Sequence, residues 1–278
     1  MDKNNYYFID THCHMNILAK KEFDVLLTQQ EIKEAQAIIT QAEDAGIKQI
    51  INVATSVIES KNCIILAQNY KNLFAAVGLH PNDLNESWFE DLKKINSFLQ
   101  EKEKNKIVAI GEIGIDMYRP GYNLEKQKAA FKQQIEMALQ LNLPIIVHTR
   151  AAPEETLTII QNYKHEKLRG VIHCYPYDEN FAQEIITYNF KLGIGGIITY
   201  PNSKKLQNIV KSIALEHLLL ETDAPFLAPQ SMRGKRNSPA QIRTVAEFIA
   251  ELRQEPLSYI ADVTSQNAQQ LFKLPSPL

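Results

Sequence analysis

Two histidines one residue apart, His12 and His14, close a short apolar run that begins at Phe8. On a strand, side chains alternate between faces, so both imidazoles point one way and Cys13 the other. Neutral imidazole is a ready ligand for divalent cations, and a convergent pair supplies half of a metal site. Further donors recur wherever an apolar run gives out: Glu112 after Ile107-Val-Ala-Ile-Gly, His148 after Pro144-Ile-Ile-Val, His173 after Gly170-Val-Ile, and Asp223 after Leu218-Leu-Leu-Glu-Thr. Singly, each has a plain structural reading, a buried histidine bonded to a carbonyl or an aspartate capping a turn. Together, four imidazoles and two carboxylates match what two divalent cations need, with a carboxylate bridging and positions left for water. His80 and Asp116 share the same kind of position and are read as contacts to ligands or substrate. His165 and His217, beside charged residues outside the run ends, read as surface.

For these donors to meet, the runs that carry them must end on one rim. Strand-like segments fall at 8–14, 48–55, 73–80, 107–116, 144–150, 170–175, 190–196 and 218–223. Helical spacing fills the gaps at 30–45, 56–70, 87–103, 124–141, 154–163, 178–189, 204–214 and 239–252, with an extra C-terminal helix at 258–272. Continuous apolar strands such as Ile145-Ile-Val suit parallel strands buried on both faces. Eight such units predict an α/β fold, a single (β/α)8 TIM barrel spanning 1–278 as one hydrolase domain. An open doubly wound sheet is the fallback, but no GxGxxG follows the first strand. In a barrel, every strand end faces the rim where active sites are built.

Composition narrows the setting. The chain has 278 residues, 45% of them hydrophobic and 22% charged, which is ordinary for a protein with a sizeable core. A net charge of -2 supplies no overall attraction to a polyanion, so any nucleic-acid contact rests on local basic residues. Three irregularly spaced cysteines, Cys13, Cys63 and Cys174, make no disulfide framework. The segment from Met1 to Tyr7 lacks a signal-peptide core, and no apolar run reaches the ~18 residues of a membrane span. The expectation is a cytoplasmic protein with no membrane partner. By strand alternation Cys13 points away from the metals, and Cys174 away from His173.

The segments Asp10-Thr-His-Cys-His14, Gly78-Leu-His-Pro81, Gly111-Glu-Ile-Gly-Ile-Asp116, Pro144-Ile-Ile-Val-His-Thr-Arg150, His173-Cys-Tyr175, Leu219-Leu-Glu-Thr-Asp-Ala-Pro225 and Arg233-Gly-Lys-Arg-Asn237 stand in an order that resembles the TatD-type metal-dependent deoxyribonucleases. The resemblance runs from Phe8 to about Phe272. It implies a TIM barrel of the amidohydrolase-like group, two divalent metal ions at the C-terminal rim, and DNA as the hydrolysed phosphodiester. By that resemblance His12, His14, Glu112 and Asp223 hold one metal, and Glu112, His148 and His173 the other, with Glu112 as the bridge. Three positions depart from the family's usual pattern: Tyr175-Pro176-Tyr177 replaces an aromatic followed by Ser/Thr-Gly, Ala152 replaces an aspartate, and Met117 replaces an aromatic.

A bound cation lowers the pKa of water from about 15.7 toward 7, so no nucleophilic side chain is needed. Asp223 is the candidate general base, with Glu112 beside it as the second catalytic carboxylate. Mixed imidazole and carboxylate donors suit zinc, magnesium or manganese alike. Arg119, Arg150, Lys204, Arg233 and Arg236 lie on loops after strands and are candidate phosphate contacts, with Tyr118, Tyr175 or Tyr177 offering a stacking face. Tyr177 has two readings, a ring stacked on a base or a ring packed under the helix that follows. Two other functions remain open: hydrolysis of a small ester, amide or lactone, and a metal-binding scaffold without turnover.

Overall fold

Each of the eight apolar runs forms a parallel strand in the computed structural model, which describes residues 6–20 and 22–277. Most of the polar opening stretch, 1–5, lies outside the described residues. The strands are β1 (Phe8–Cys13), β2 (Ile47–Val53), β3 (Leu73–Val77), β4 (Ile107–Asp116), β5 (Ile145–Arg150), β6 (Gly170–Ile172), β7 (Phe190–Ile194) and β8 (Leu218–Leu220). They pair in chain order. The ring closes where the Asp223 amide donates to His12 O and the His14 amide to Ala224 O, both at 2.8 Å. The fold is therefore the expected TIM barrel.

A short helix α1 (Met15–Leu18), which hydrophobic spacing does not reveal, precedes α2 (Gln29–Asp44). The remaining crossovers are α3 (Val57–Asn69), α4 (Trp88–Leu99), α5 (Leu124–Leu141), α6 (Pro153–Gln161), α7 (Glu179–Thr187), α8 (Lys204–Ser212) and α9 (Ile242–Arg253), followed by the extra helix α10 (Leu257–Phe272). Helix α2 shows why these segments form where they do. Thr28 and Glu31 close a reciprocal capping box at its start, and Ile32, Ala35, Ile39 and Ala42 bury one face. No helix among the described residues is long and apolar enough to cross a membrane.

Two apolar layers hold the barrel. One lies between strands and helices, and the other fills the barrel itself with Ile9, Ile51, Phe74, Ile146, Val171 and Leu219. The end of α10 joins this inner layer through Leu271 and Phe272. Burial of each of these side chains stabilises by roughly 1.5–3 kcal/mol, so the lower mouth is plugged and only the upper rim is free for a site.

Two strands carry an extra residue just below that rim. Between Asp10 and Cys13 β1 advances three residues while β2 advances two, from Ile50 to Asn52. Between Ile110 and Ile113 β4 does the same against Ile145 and Val147 of β5. A bulge re-aims the side chains beyond it. Here the bulges bracket His12 and Glu112, so both polar side chains are turned toward the centre while Cys13 and Ile113 join the outer layer.

Candidate functional site

All six donors singled out in the sequence meet at the upper rim, five of them lining a cavity of about 710 Å³ and His12 buried beside them. His12 Nε2 and His14 Nε2 are 3.3 Å apart. His12 Nε2 is 3.4 Å from Glu112 Oε2 and 3.6 Å from Asp223 Oδ1. His14 Nε2 is 3.7 Å and 3.3 Å from the same two oxygens. A tetrahedral cation with ligand bonds of ~2.0–2.1 Å requires donor separations of about 3.4 Å, and His12, His14 and Asp223, at 3.3–3.6 Å from one another, match it, with Glu112 Oε2 approaching from the two imidazoles. The proton positions agree. His14 Nδ1 faces Val53 O at 2.8 Å, so it carries the proton and leaves the Nε2 lone pair directed at the other donors.

The second oxygen of Glu112 serves a second group. Glu112 Oε1 lies 2.8 Å from His148 Nδ1 and 3.1 Å from His173 Nε2. His148 is gripped from its other side by Asp116 Oδ2 at 3.3 Å. Asp116 is fixed in turn by Asn82 Nδ2 at 2.7 Å and the Tyr118 amide at 2.8 Å. His173 presents Nδ1 to Glu221 Oε1 at 3.5 Å. These carboxylates orient the imidazoles, as outer partners of metal-binding histidines commonly do.

Burial alone would raise the Glu112 carboxyl, but the positive charge of His173 and hydrogen bonds from His12 and His148 hold it well below the usual range. Asp223 is likewise held down, since the His14 hydrogen bond and the nearby imidazoles outweigh its burial. Both carboxylates are therefore ionised, the state in which they bind cations. The donor set fits divalent metal ions: hard carboxylate oxygens and borderline imidazole nitrogens whose ligand atoms face one another.

His80 is closer than its reading as an outer contact required, with Nε2 at 3.6 Å from Glu112 Oε1. Its Nδ1 accepts the Asn82 amide at 3.1 Å, which leaves the proton on Nε2. Burial and the charge of His148 lower its pKa to about 3. It faces Glu112 as a neutral group, and its ligand atom clusters with those of Glu112 and His148 closely enough to hold an ion, nearer the site than the outer contact expected.

Several expectations need correction. Cys174 does not point away from the site. Strand β6 ends at Ile172, Cys174 takes a left-handed φ of 45°, and strand alternation stops before it, so the residue lines the cavity. Asp223 shares this feature with φ 56°, three residues past the end of β8. Tyr175 is fully buried. Tyr177 packs against Phe181 at 4.9 Å between ring centroids, and its hydroxyl accepts the Ala152 amide at 3.2 Å. Two of the departures from the family pattern, Ala152 and Tyr177, thus touch each other. The Tyr177 ring is half-buried against the core, and Tyr177→Ala is expected to cost about 1–3 kcal/mol in denaturant unfolding while single-stranded DNA affinity, measured well below the melting point, stays put.

Of the cations, Arg119 and Arg150 line the cavity. Arg150 lies over the Tyr118 ring, 4.0 Å from its centroid. Arg233 instead covers the Tyr200 ring, Arg236 donates to Ile17 O at 2.6 Å, and Lys204 opens α8, none of them lining the cavity. His165 is exposed and His217 half-exposed, as read from sequence.

Four residues that support the site escaped sequence reasoning. Glu221 sits wholly buried behind His173, where a Cβ at position 193 would come within 2.1 Å of its Oε2, so Gly193 makes room for it. Asp10 accepts from the Thr222 hydroxyl at 2.6 Å and the His12 amide at 3.2 Å, which locks the β1 bulge to β8. Lys20 and Glu59 form a buried ion pair at 2.6 Å beside the cavity. Their signal was faint because the partners stand 39 residues apart. Lys20→Met is expected to destabilise the protein by about 3–5 kcal/mol in thermal unfolding, because it strands the Glu59 carboxylate without its cation.

The chain's relatives agree with this geometry. A family model described as TatD related DNase matches residues 9–273. The uncharacterized metal-dependent hydrolase YabD of Bacillus subtilis is 35% identical over 265 residues, covering 95% of this chain and 98% of that protein. The 3'-5' ssDNA/RNA exonuclease TatD of Shigella flexneri is 29% identical over 258 residues, or 90% of this chain and 98% of that one. The crystal structure of YjjV, a TatD homologue from Escherichia coli, aligns with a TM-score of 0.85 at 31% identity, over 96% of this chain and 98% of the other. With the family model matched over nearly its whole length, this chain belongs to the TatD-related DNase family of metal-dependent hydrolases.

Proposed function

We propose that this chain, as a single hydrolase domain, is a deoxyribonuclease that cleaves DNA phosphodiester bonds with the help of two divalent cations. The observation that carries the reading is the division of Glu112: Oε2 faces His12 and His14, and Oε1 faces His148 and His173. A carboxylate so placed would serve two cations at once. His12, His14, Glu112 and Asp223 would hold one cation, and Glu112, His148 and His173 the other. Cations held there supply positive charge to the phosphoryl oxygens and acidify water.

The chain's own residues do the rest. Asp223 is ionised, and its side chain is 12% exposed against 5% for Glu112, so it is the carboxylate that reaches the cavity. It is placed to take the proton from an attacking water, in the role of general base. Arg119 and Arg150 supply donors for phosphate oxygens at the mouth. Glu221 and Asp116 keep His173 and His148 turned toward Glu112. Three free thiols and the absence of any membrane-crossing helix among the described residues support a reducing, cytoplasmic setting.

The test is to strip the protein of metal, reload it with magnesium, manganese or zinc in turn, and measure acid-soluble nucleotide released from single-stranded DNA beside turnover of a lactone and a carboxylic ester. Release from DNA by at least one metal form, with the stripped protein inert, is the expected result. Turnover of the lactone or ester without release from DNA would give the site to small-molecule hydrolysis. Full metal loading with no turnover at all would leave a scaffold.

A further inference from the structure

The cavity has two unlike walls. Arg119 and Arg150 follow β4 and β5, while Phe23, Phe226 and Leu227 follow β1 and β8. In a ring of eight strands paired in order these positions lie across the mouth from each other, with the imidazoles and carboxylates between them. One wall is cationic and the other apolar.

The apolar wall is exposed yet held in place. Phe23 is 62% and Phe226 43% exposed, large values for aromatic side chains at the edge of a site. The loop that carries Phe23 is pinned from below. Glu59 accepts the Asp24 amide at 2.8 Å, and Lys20 Nζ and Asn62 Nδ2 both donate to Val25 O, at 2.9 and 2.8 Å. Phe226 is pinned by Asn237, a buried residue of the Arg233-Gly-Lys-Arg-Asn237 segment, whose Nδ2 donates to both Thr222 O and Phe226 O at 2.8 Å. Asp24 and Leu227 both take left-handed backbone, with φ of 53° and 49°. Buried polar anchors and strained backbone that together hold apolar rings out in water are arrangements a ligand repays.

We infer that Phe23 and Phe226 form a subsite for the nucleobase of a nucleotide flanking the reacting phosphate, with Arg119 and Arg150 holding the strand's phosphates on the far side. This rests on the phosphodiesterase reading above. A nucleotide strand is a ligand whose chemistry alternates a flat, largely apolar ring with an anion, and an uncharged ester or lactone has no anion for the cationic wall. The aromatic faces considered from sequence do not line the cavity: Tyr175 is buried, Tyr177 is half-buried against Phe181, and Tyr118, though exposed, holds one face against Arg150 outside it.

The test is calorimetric titration of the metal-loaded protein with deoxythymidine 5′-monophosphate and, separately, with inorganic phosphate. Tighter binding of the nucleotide is expected, and the ratio of the two affinities should fall by about 5-fold or more in Phe23→Ala and in Phe226→Ala. Phe23→Tyr, which keeps a ring, should keep the ratio. Phe23 stands well apart from Asp223 in the chain, so its variants carry the test even where Phe226→Ala loosens the metal site. Equal affinity for nucleotide and phosphate in the wild type, or a ratio unmoved by both alanine variants, would overturn the subsite. An intact ratio that falls as expected, in a protein that hydrolyses no DNA, would keep the subsite while removing the nuclease reading.

Discussion

Glu112→Gln is expected to lower DNA hydrolysis on the order of 1000-fold and to leave the unfolding midpoint close to that of the wild type. The reasoning is geometric and electrostatic together. The amide has the carboxylate's shape, so the packing of a residue that is 4% exposed is preserved. What it loses is one formal charge and one of two acceptor oxygens. Its amide nitrogen would confront either the His12 and His14 pair, now 3.4 and 3.7 Å from Oε2, or the His148 and His173 pair, now 2.8 and 3.1 Å from Oε1. Either way one cation loses its ligand, and the bridge is gone. Activity within a few-fold of wild type would remove Glu112 from the centre of the site.

Asp223→Asn is the second large effect, and it separates chemistry from binding. Asparagine keeps a donor oxygen near His14 but cannot accept a proton from water, so kcat should fall by about 100- to 10,000-fold. Affinity for single-stranded DNA, proposed above to rest on the Arg119 and Arg150 wall and on the apolar rings that line the cavity, should change by a few-fold only. Losses of similar size in kcat and in affinity would make Asp223 a ligand with no part in proton transfer.

Most of the frame was legible in the chain because a parallel barrel writes itself as uninterrupted apolar runs. Ile107-Val-Ala-Ile and Ile145-Ile-Val have no polar face to hide, and the donor after each run marks the rim. The six donors were readable for the same reason. What was not readable depends on backbone that leaves the regular pattern. The bulges in β1 and β4 cannot be seen in an alternation of residue types, because one inserted residue looks like any other. Cys174 was placed on the wrong side because β6 stops three residues short of the apolar run, at Ile172. The rings that could meet a base were sought among tyrosines near the ligands, yet Tyr177 found its partner in Ala152 and Thr149. Phe23 was passed over because an exposed phenylalanine in a loop has no periodic signature, and its anchor is the ion pair of Lys20 with a glutamate beyond the next strand.

The central claim is that one carboxylate joins two cation sites and that catalysis needs both. Titration of metal-stripped protein with manganese, with bound metal per chain and single-stranded DNA hydrolysis followed in the same samples, tests it most directly. Two ions are expected to bind per wild-type chain, with hydrolysis reaching its plateau only as the second is taken up. A plateau at one ion per chain, or hydrolysis undiminished in the stripped protein, would contradict it.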